Sequence, residues 1–506
     1  MSGRIYRLGE ILPEGISHLF DSPILCFGHF NAIHPGHIRY FHTARQYGND
    51  LIVGLEGSAQ LSDAERIEMY SETERAEALL SLDIVDYVVI LDTGGLSDLV
   101  DCIKPKALVL GKEFEEKRYE KVAEAVEQIE HAGGVVVYNA GDTQYATTDL
   151  LHASQHQLEK DRWSQFQSIL GNWDIDLSSV LRKLKESKPA RILVLGDTIL
   201  DQYVACDPIG MSNEAPVVVV KELETRNFIG GAAIVAAHVS ELGAHCKFIP
   251  VAGDDEESDL VDKDLADLSV VTHILRDSSR PTTKKIRYMV ENQKLFRVSR
   301  LRERSLSKAI ETLVVEKIEE YAPLVDGIVV CDFVYGLVTP TIVETLREIS
   351  KKYQLPLFGD LQCSSQIGNI GKFKNFHLLC PTEREARIAL RNQDDGVETI
   401  ANLLMEETQA SNLIIKLGAD GFIAYGRKQN NEFIDRQHFP ALIVNPLDVA
   451  GAGDSLMAGV SVALTQGLTL IEASAISSCI AALAVQTVGN LPVKLEDLSN
   501  FIQRQE

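Results

Sequence analysis

The segment Asp448-Val-Ala-Gly-Ala-Gly-Asp454 runs directly into Ser455-Leu-Met-Ala-Gly459. Small residues let backbone N–H groups converge on an anion, and the helix expected to follow adds partial positive charge at its N-terminus. A carboxylate at that point, Asp454, can take a proton from a hydroxyl while the loop amides hold the phosphoryl group under attack. The competing reading is a flexible glycine loop closed by an Asp N-cap. Far upstream lies a second candidate, Gly28-His-Phe30-Asn31-Ala-Ile-His34-Pro-Gly36-His37. Here Gly36 allows a phosphate close to the backbone. His34 and His37 can donate hydrogen bonds to the α-phosphate of a nucleoside triphosphate as charge builds in an in-line displacement. A metal pair or two structural histidines are the alternatives, and no third ligand stands at a suitable spacing.

These residues need elements to position them. Between Pro23 and Leu151, apolar runs at Ile24–Gly28, Leu51–Leu55, Val85–Ile90, Ala107–Gly111 and Gly134–Tyr138 alternate with helical patterns, clearest at Ile38–Tyr47 and Glu115–His131. Such alternation predicts a parallel sheet covered on both faces, a small Rossmann-like unit. The histidine motif follows its first strand, where ligands bind in doubly wound sheets. From Arg191 the alternation restarts, with strands expected at Ile192–Leu195, Cys246–Pro250, Gly327–Cys331, Pro356–Gly359 and Leu413–Lys416. Helices are expected at Gly231–Leu242, Thr339–Tyr353 and Asp454–Gln466. Ala215–Glu222 and Lys285–Arg297 read as a small β lid, a candidate surface for a homodimer. Residues 152–188 lack strand patterning yet hold both tryptophans, Trp163 and Trp173, which predicts a helical linker packed on a domain face. The fold class is therefore α/β, with a first domain over 1–151, the linker, and a second domain over 189–506.

A chain of 506 residues with 45% hydrophobic and 24% charged content can build more than one sizeable core. The net charge of -24 argues against nucleic acid or an anionic membrane as a partner. Eight cysteines without metal-ligand spacing read as reduced thiols, with no structural metal site, in a cytoplasmic protein. No apolar run is long enough for a membrane span.

The first motif resembles that of the cytidylyltransferase-like nucleotidyltransferases, whose signature is H-x-G-H after the first strand. It is similar in particular to the adenylyltransferase part of the bifunctional heptose-phosphate kinase/adenylyltransferases. The resemblance extends through Gly48–Val53, Thr73–Ser81, Val85-Asp86, Lys104-Pro105 and Ala146-Thr147-Thr148. It implies that Gly28, Phe30 and Gly36 line a nucleotide site, with Arg75 in or beside it and Thr147 and Thr148 near the triphosphate. The chain departs from the pattern at Asn31, where the family has Asp, and at Gly111-Lys-Glu113, where it has Gly-x-Asp. Glu56–Ser71 contains no Lys, and Arg66 is the one candidate substitute for the family's phosphate-contacting lysine.

The second motif resembles that of the ribokinase/PfkB carbohydrate kinases, in a similarity running from about Arg191 to Val493. It implies Asp454 as catalytic base and the amides of Gly451, Ala452 and Gly453 as an anion hole. It also implies Asp197 and Asp201 at sugar hydroxyls, with a helix N-cap as the alternative, and Gly230-Gly231 beside the sugar. Glu385 would orient Mg2+ through water, a solvated helix face being the alternative, and Lys416, Gly418 and Gly421 would flank ATP. Ser212–Val217, Pro281–Arg287 and Asn292–Arg297 look like a substrate region. Lys284, Arg287 and Arg297 belong to a basic cluster suited to a substrate that already carries phosphate, or to an ordinary solvated surface. Ile234 stands where the family has a sugar-contacting Asn, and Tyr335 where it has a Lys, which predicts a changed sugar pocket.

Together these resemblances imply a bifunctional sugar-activating enzyme whose partners are small molecules. One domain would phosphorylate a sugar such as a heptose 7-phosphate with ATP and Mg2+, and the other would join a sugar 1-phosphate to a nucleotide from ATP or CTP. A carbohydrate kinase with a nucleotide-binding but non-catalytic first module, and a CTP-using enzyme for another sugar or alditol phosphate, are the alternatives.

Overall fold

The computed structural model describes residues 4–12, 15–31, 33, 35–58, 70–111, 120–138, 155–212, 214–215, 217–290, 293–363, 368–427 and 434–504. The chain forms two compact units, Met1–Leu150 with Asn392–Asn402, and Leu151–Arg391 with Leu403–Glu506.

The first unit is built on a parallel sheet in the order Arg4–Arg7, Tyr87–Leu91, Asp50–Glu56, Pro23–Gly28, Ala107–Leu110, Val135–Tyr138. Its central strand Pro23–Gly28 is buried throughout because each face meets a separate apolar layer. Ile24 and Cys26 pack with Phe41, Ala76 and Leu79, while Leu25 and Phe27 pack with Leu99 and Val126. The period-two alternation of a strand explains this division. The edge strand Arg4–Arg7 was not foreseen; only four residues long and charged at both ends, it lacks an apolar run. The helix expected at Ile38–Tyr47 starts earlier, at Pro35, and ends at Ala44, with a 3-10 turn over Arg45–Tyr47. Proline at the first helical position is favourable, since its missing N–H would have no intrahelical partner there.

The second unit holds a larger sheet in the order Val271–Thr272, His245–Ile249, Arg191–Gly196, Gly327–Asp332, Leu357–Leu361, Leu378–Leu379, Asn412–Lys416, Phe422–Arg427, Ile434–Phe439. The last three strands pair antiparallel with one another, and every other neighbouring pair is parallel. Helix Ala232–Glu241 is apolar almost all round, with Ala232–Val239 fully buried, and it packs beside helix Ala452–Thr465. The lid exists and is longer than expected. Thr198–Met211 and Val218–Gly231 form an antiparallel pair, extended by Thr283–Val290 and Gln293–Arg300.

The stretch between the two sheets contains helices Gln155–Asn172 and Leu177–Glu186. Phe166, Leu170, Leu177, Leu181 and Leu184 enter the core of the second unit. Trp163 packs against that core, and Trp173 Nε1 donates to Gln437 Oε1 at 2.8 Å. Asp176 caps the second helix by accepting the N–H groups of Ser178 and Ser179.

Candidate active sites

In the second unit, the parallel strands end their carboxyl termini on a buried polar cluster. Gly451 adopts φ +81° as the cap of helix Ala452–Thr465, and a Cβ there would stand 2.6 Å from Asn490 Oδ1. Glycine is therefore required by conformation and by space. Ala452, Gly453 and Asp454 form the first turn, whose N–H groups have no intrahelical acceptors and are available to an anion. The Ala452 N–H makes only a long, 3.4 Å contact to Val449 O.

Asp454 is buried, and Gln362 Nε2 donates to its Oδ1 at 2.6 Å. Burial, reinforced by the nearby Asp360 charge, pushes its carboxyl up to about 7, against the opposing effects of Lys416, Gln362 and Lys285. Such a group switches between acid and base near neutral pH. Asp360, at the end of Leu357–Leu361, accepts two hydrogen bonds from Lys416 Nζ, at 2.8 and 3.0 Å. Burial opposes the charge on Lys416, but Asp360 and Glu385 hold its ammonium above the ordinary range. A Cβ on Gly453 would lie 3.2 Å from that ammonium, so Lys416 sits directly beneath the glycine loop.

Glu385 is buried rather than on a solvated helix face. Its oxygens accept the Cys363 N–H at 2.9 Å and the Thr382 N–H at 2.8 Å, the latter as part of a capping box. Gly421 answers a packing demand: at φ +90°, a Cβ would meet Phe439 O at 2.0 Å. Gly418 takes φ +65° in open space.

Neither Asp197 nor Asp201 caps a helix, because Gly196 leads into the lid strand Thr198–Met211. Asp197 accepts the N–H groups of Phe333, Tyr335 and Leu337 at 3.0, 3.2 and 3.3 Å. Burial and the neighbouring Asp332 push its carboxyl above the usual range. Its geometry is that of a loop anchor. Asp201 receives Arg287 in an ion pair and Asn490 Nδ2 at 2.9 Å. Gly230 admits this carboxylate, since a Cβ there would stand 2.3 Å from Asp201 Oδ2. Gly231, at φ +62°, lies against Asp197 O.

The basic cluster is partly paired. Lys284 meets Glu257 at 3.3 Å, Arg287 meets Asp201, and Lys294 meets Asp448 at 3.0 Å. Arg297 lies exposed on the outer hairpin strand. Lys285 is buried over the rings of Phe333 and Tyr335, at 5.4 and 5.5 Å from their centroids. Tyr335 is buried, and Ile234 lies wholly inside the apolar core.

Three residues of this cluster have no role assigned from the sequence, Asp448 among them although it begins the loop motif. Asp448 opens the glycine loop and accepts Tyr203 Oη at 2.6 Å, Lys294 Nζ at 3.0 Å, Ala450 N–H at 3.1 Å and Gly489 N–H at 3.3 Å. Burial would raise its carboxyl, but the hydrogen bonds from Tyr203, Ala450 and Lys294 hold it below the usual range. Asp360 and Gln362 escaped because the expected strand stopped at Gly359, cutting off the carboxyl end where ligands gather.

In the first unit, Phe30 takes φ +45° just after the central strand. Its ring packs 5.1 Å from that of His37 and 5.3 Å from that of Phe41. Gly28 permits this return, since a Cβ would sit 3.1 Å from the Phe30 ring. Gly36 and His37 belong to the first turn of helix Pro35–Ala44. Arg75, expected in or beside this site, is held by backbone carbonyls. It is 1% exposed and donates to the carbonyls of Tyr70 at 3.1 Å, His29 at 2.5 Å and Glu56 at 2.9 Å. It thus braces the loops that flank the site. Asn31 Oδ1 accepts the Tyr70 N–H at 2.8 Å, and His29 Nδ1 lies 3.0 Å from Glu56. His34, Arg66, Lys112, Glu113, Ala146, Thr147 and Thr148 lie outside the described residues, as do Asn213, Pro216 and Asn292 of the substrate region.

Among the described residues, no group of three or more His, Cys, Asp or Glu is gathered to hold a metal, and no helix is long and apolar enough to cross a membrane. The eight cysteines are free thiols, all buried except the half-buried Cys363.

Comparison with known proteins agrees with both halves. Residues 189–495 match the model of the pfkB family carbohydrate kinases, and residues 25–229 match the cytidylyltransferase-like model. The two matches overlap over 189–229, where the structure assigns the strands to the second unit. The bifunctional protein HldE of Campylobacter jejuni subsp. doylei is 29% identical over 327 residues, covering 64% of this chain and 66% of that protein. HldE of Helicobacter hepaticus is 30% identical over 327 residues, covering 63% of this chain and 65% of its own length. The aligned stretch thus spans just under two thirds of these relatives. The solved structure of phosphofructokinase-2 from Escherichia coli with substrates and products superposes with a TM-score of 0.52 at 16% identity, over 62% of this chain and 99% of that one. Its likeness concerns the fold. With the glycine loop, the lid and the large sheet in place, the chain belongs to the pfkB family of carbohydrate kinases, here preceded by a cytidylyltransferase-like nucleotidyltransferase unit.

Proposed function

We propose that this chain is a bifunctional sugar-activating enzyme. In the kinase unit, Asp454 takes the proton of a sugar hydroxyl, the freed oxygen attacks the γ-phosphorus of ATP, and the bond from that phosphorus to the β,γ-bridging oxygen breaks to release ADP. The amides of Gly451, Ala452 and Gly453 face the phosphoryl charge, and the Lys416 ammonium supports them from below. The observation that carries this reading is the buried Asp454 in the first helical turn behind a positive-φ glycine.

ATP would enter with Mg2+. Asp360 and Glu385 fit an indirect role toward it, because their oxygens already accept protein N–H groups and would reach the ion through water. Their charge would offset that of the bound cation.

The substrate we favour is a phosphosugar, with a heptose 7-phosphate as first candidate. Support comes from the likeness to bifunctional HldE proteins and from the lid cations, of which Arg297 stays exposed. In the nucleotidyltransferase unit, an oxygen of a sugar 1-phosphate would attack the α-phosphorus of ATP or CTP and expel pyrophosphate. His34 and His37 would stabilise the charge developing there, with Gly28, Phe30, Gly36, Thr147 and Thr148 around the nucleotide. The free thiols support a reducing, cytoplasmic setting. Ile209, Val218, Leu223 and Phe296 are exposed on the lid at 52–66%, which supports a second copy of the chain as its cover.

The test measures ADP and pyrophosphate separately. Incubation with ATP and heptose 7-phosphate should yield ADP, and incubation with ATP or CTP and a sugar 1-phosphate should yield pyrophosphate. Nucleotide binding without pyrophosphate across a sugar-phosphate panel would reduce the first unit to a binding module.

A further inference from the structure

Three acidic groups converge at the carboxyl end of strand Leu357–Leu361, and one neutral side chain stands between two of them. The Gln362 N–H donates to Asp332 O at 2.9 Å, which fixes the backbone beyond the strand. Its side-chain Nε2 lies 2.6 Å from Asp454 Oδ1 and 3.5 Å from Asp360 Oδ2. The next residue, Cys363, gives its N–H to Glu385. A carboxamide has two donor hydrogens on nitrogen and an acceptor oxygen. Facing Asp360, which is itself held as an acceptor by Lys416, the amide must present its nitrogen; the flipped orientation would oppose oxygen to oxygen.

We infer that Gln362 is a positioning residue for the proposed base: its amide fixes Asp454 Oδ1, leaving Oδ2 to receive the substrate proton. The inference rests on the reading of Asp454 given above. Without the amide, Asp454 would be free to rotate about χ2 and would face Asp360 with no donor between them. Proton transfer depends on an oxygen held within hydrogen-bond reach of the hydroxyl, so loss of this hold should slow the chemical step while ATP binding persists. The donor also favours the ionised carboxylate, so its removal must shift the proton equilibrium of Asp454 upward.

Gln362→Leu removes the donor, and Gln362→Glu also places a charge beside Asp454. ADP release is followed from pH 5.5 to 9 with ATP and heptose 7-phosphate. Both variants should move the acid limb of kcat/KM to higher pH, by about one unit for Leu and further for Glu. At pH 7, kcat should fall about tenfold, with the KM for ATP changed less than about twofold. Gln362→Leu should recover only part of its rate at high pH, the remaining deficit reflecting the lost orientation of Asp454. A uniform loss at every pH would overturn the inference, because it would signal only disturbed packing.

A second measurement requires no turnover. In protein labelled with [4-13C]Asp, the Asp454 resonance is the one lost in Asp454→Asn, and its midpoint must rise in Gln362→Leu. An unchanged midpoint overturns the proposal. If Asp454→Asn itself retains ADP release, the assignment of the base fails; if that variant is dead while Gln362→Leu matches the parent, only the role of Gln362 fails.

Discussion

Lys416 Nζ lies 2.8 and 3.0 Å from the two carboxylate oxygens of Asp360, a buried carboxylate whose partner is little exposed beneath the glycine loop. A pair in this setting is costly to break because the survivor remains charged and desolvated. Lys416→Met should destabilise the second unit by about 3–5 kcal/mol, whereas Lys416→Met with Asp360→Leu should recover much of that loss. Denaturant titration of the single and double variants measures the difference, and ATP affinity should fall in both because the loop loses its underlying cation.

Asp454 gives a pH prediction with a defined sign. Kinase activity should rise through about pH 7 as the carboxyl loses its proton, and Asp454→Asn should lower ADP release by about a thousandfold while sparing pyrophosphate release. Its folded-state value lies above that of an unfolded carboxyl, so the native protein binds the extra proton between those values. Stability from this group is therefore present under acid conditions and lost as pH rises toward 7. Asp454→Asn should be more stable than the parent at pH 8, by about 2 kcal/mol, with the gain fading as pH falls toward 4. Thermal unfolding of the second unit at the two pH values checks this.

Asp448 receives two donors from the lid, one from its own loop at Ala450 and one from Gly489. Tyr203→Phe or Lys294→Met should each weaken the hold on the loop by about 1 kcal/mol and raise the KM for the sugar before that for ATP. Asp448→Asn, which upsets all four contacts, should reduce kcat about a hundredfold. Steady-state kinetics with each substrate varied in turn separates the two effects.

Arg75 makes a contrasting prediction for the first unit. Its three carbonyl contacts, all from a buried guanidinium, imply that Arg75→Met costs about 3 kcal/mol of stability. At a temperature where the variant remains folded, the KM for the nucleotide should change little. A direct phosphate ligand would show the reverse pattern, with a large KM effect and a small shift in unfolding.

Both sheets and the glycine loop were legible in the sequence because continuous apolar strands and positive-φ glycines leave local marks. The long lid strands were only half legible. Thr198–Met211 turns from buried to exposed along its length, so it lacks one apolar period. The motif residues Asp197, Glu385 and Arg75 were found as residues but not for their contacts, since backbone N–H and carbonyl partners leave no side-chain signature. Asp197 shows why: its partners lie at positions 333–337, far along the chain. Gln362 had no motif to announce it and becomes visible only once the strand is followed to its end. Ile234 was legible as a departure, yet its complete burial makes its substitution first a matter of packing.

The helices Gln155–Asn172 and Leu177–Glu186 bear on how this protein can be dissected. Phe166, Leu170, Leu177, Leu181 and Leu184 cover the kinase core, while Arg162 donates to Ala441 O at 2.8 Å. A fragment begun at residue 189, where the family match starts, would strip that apolar coat and leave a sticky, poorly behaved product. A kinase fragment meant to stand alone should begin no later than Gln155.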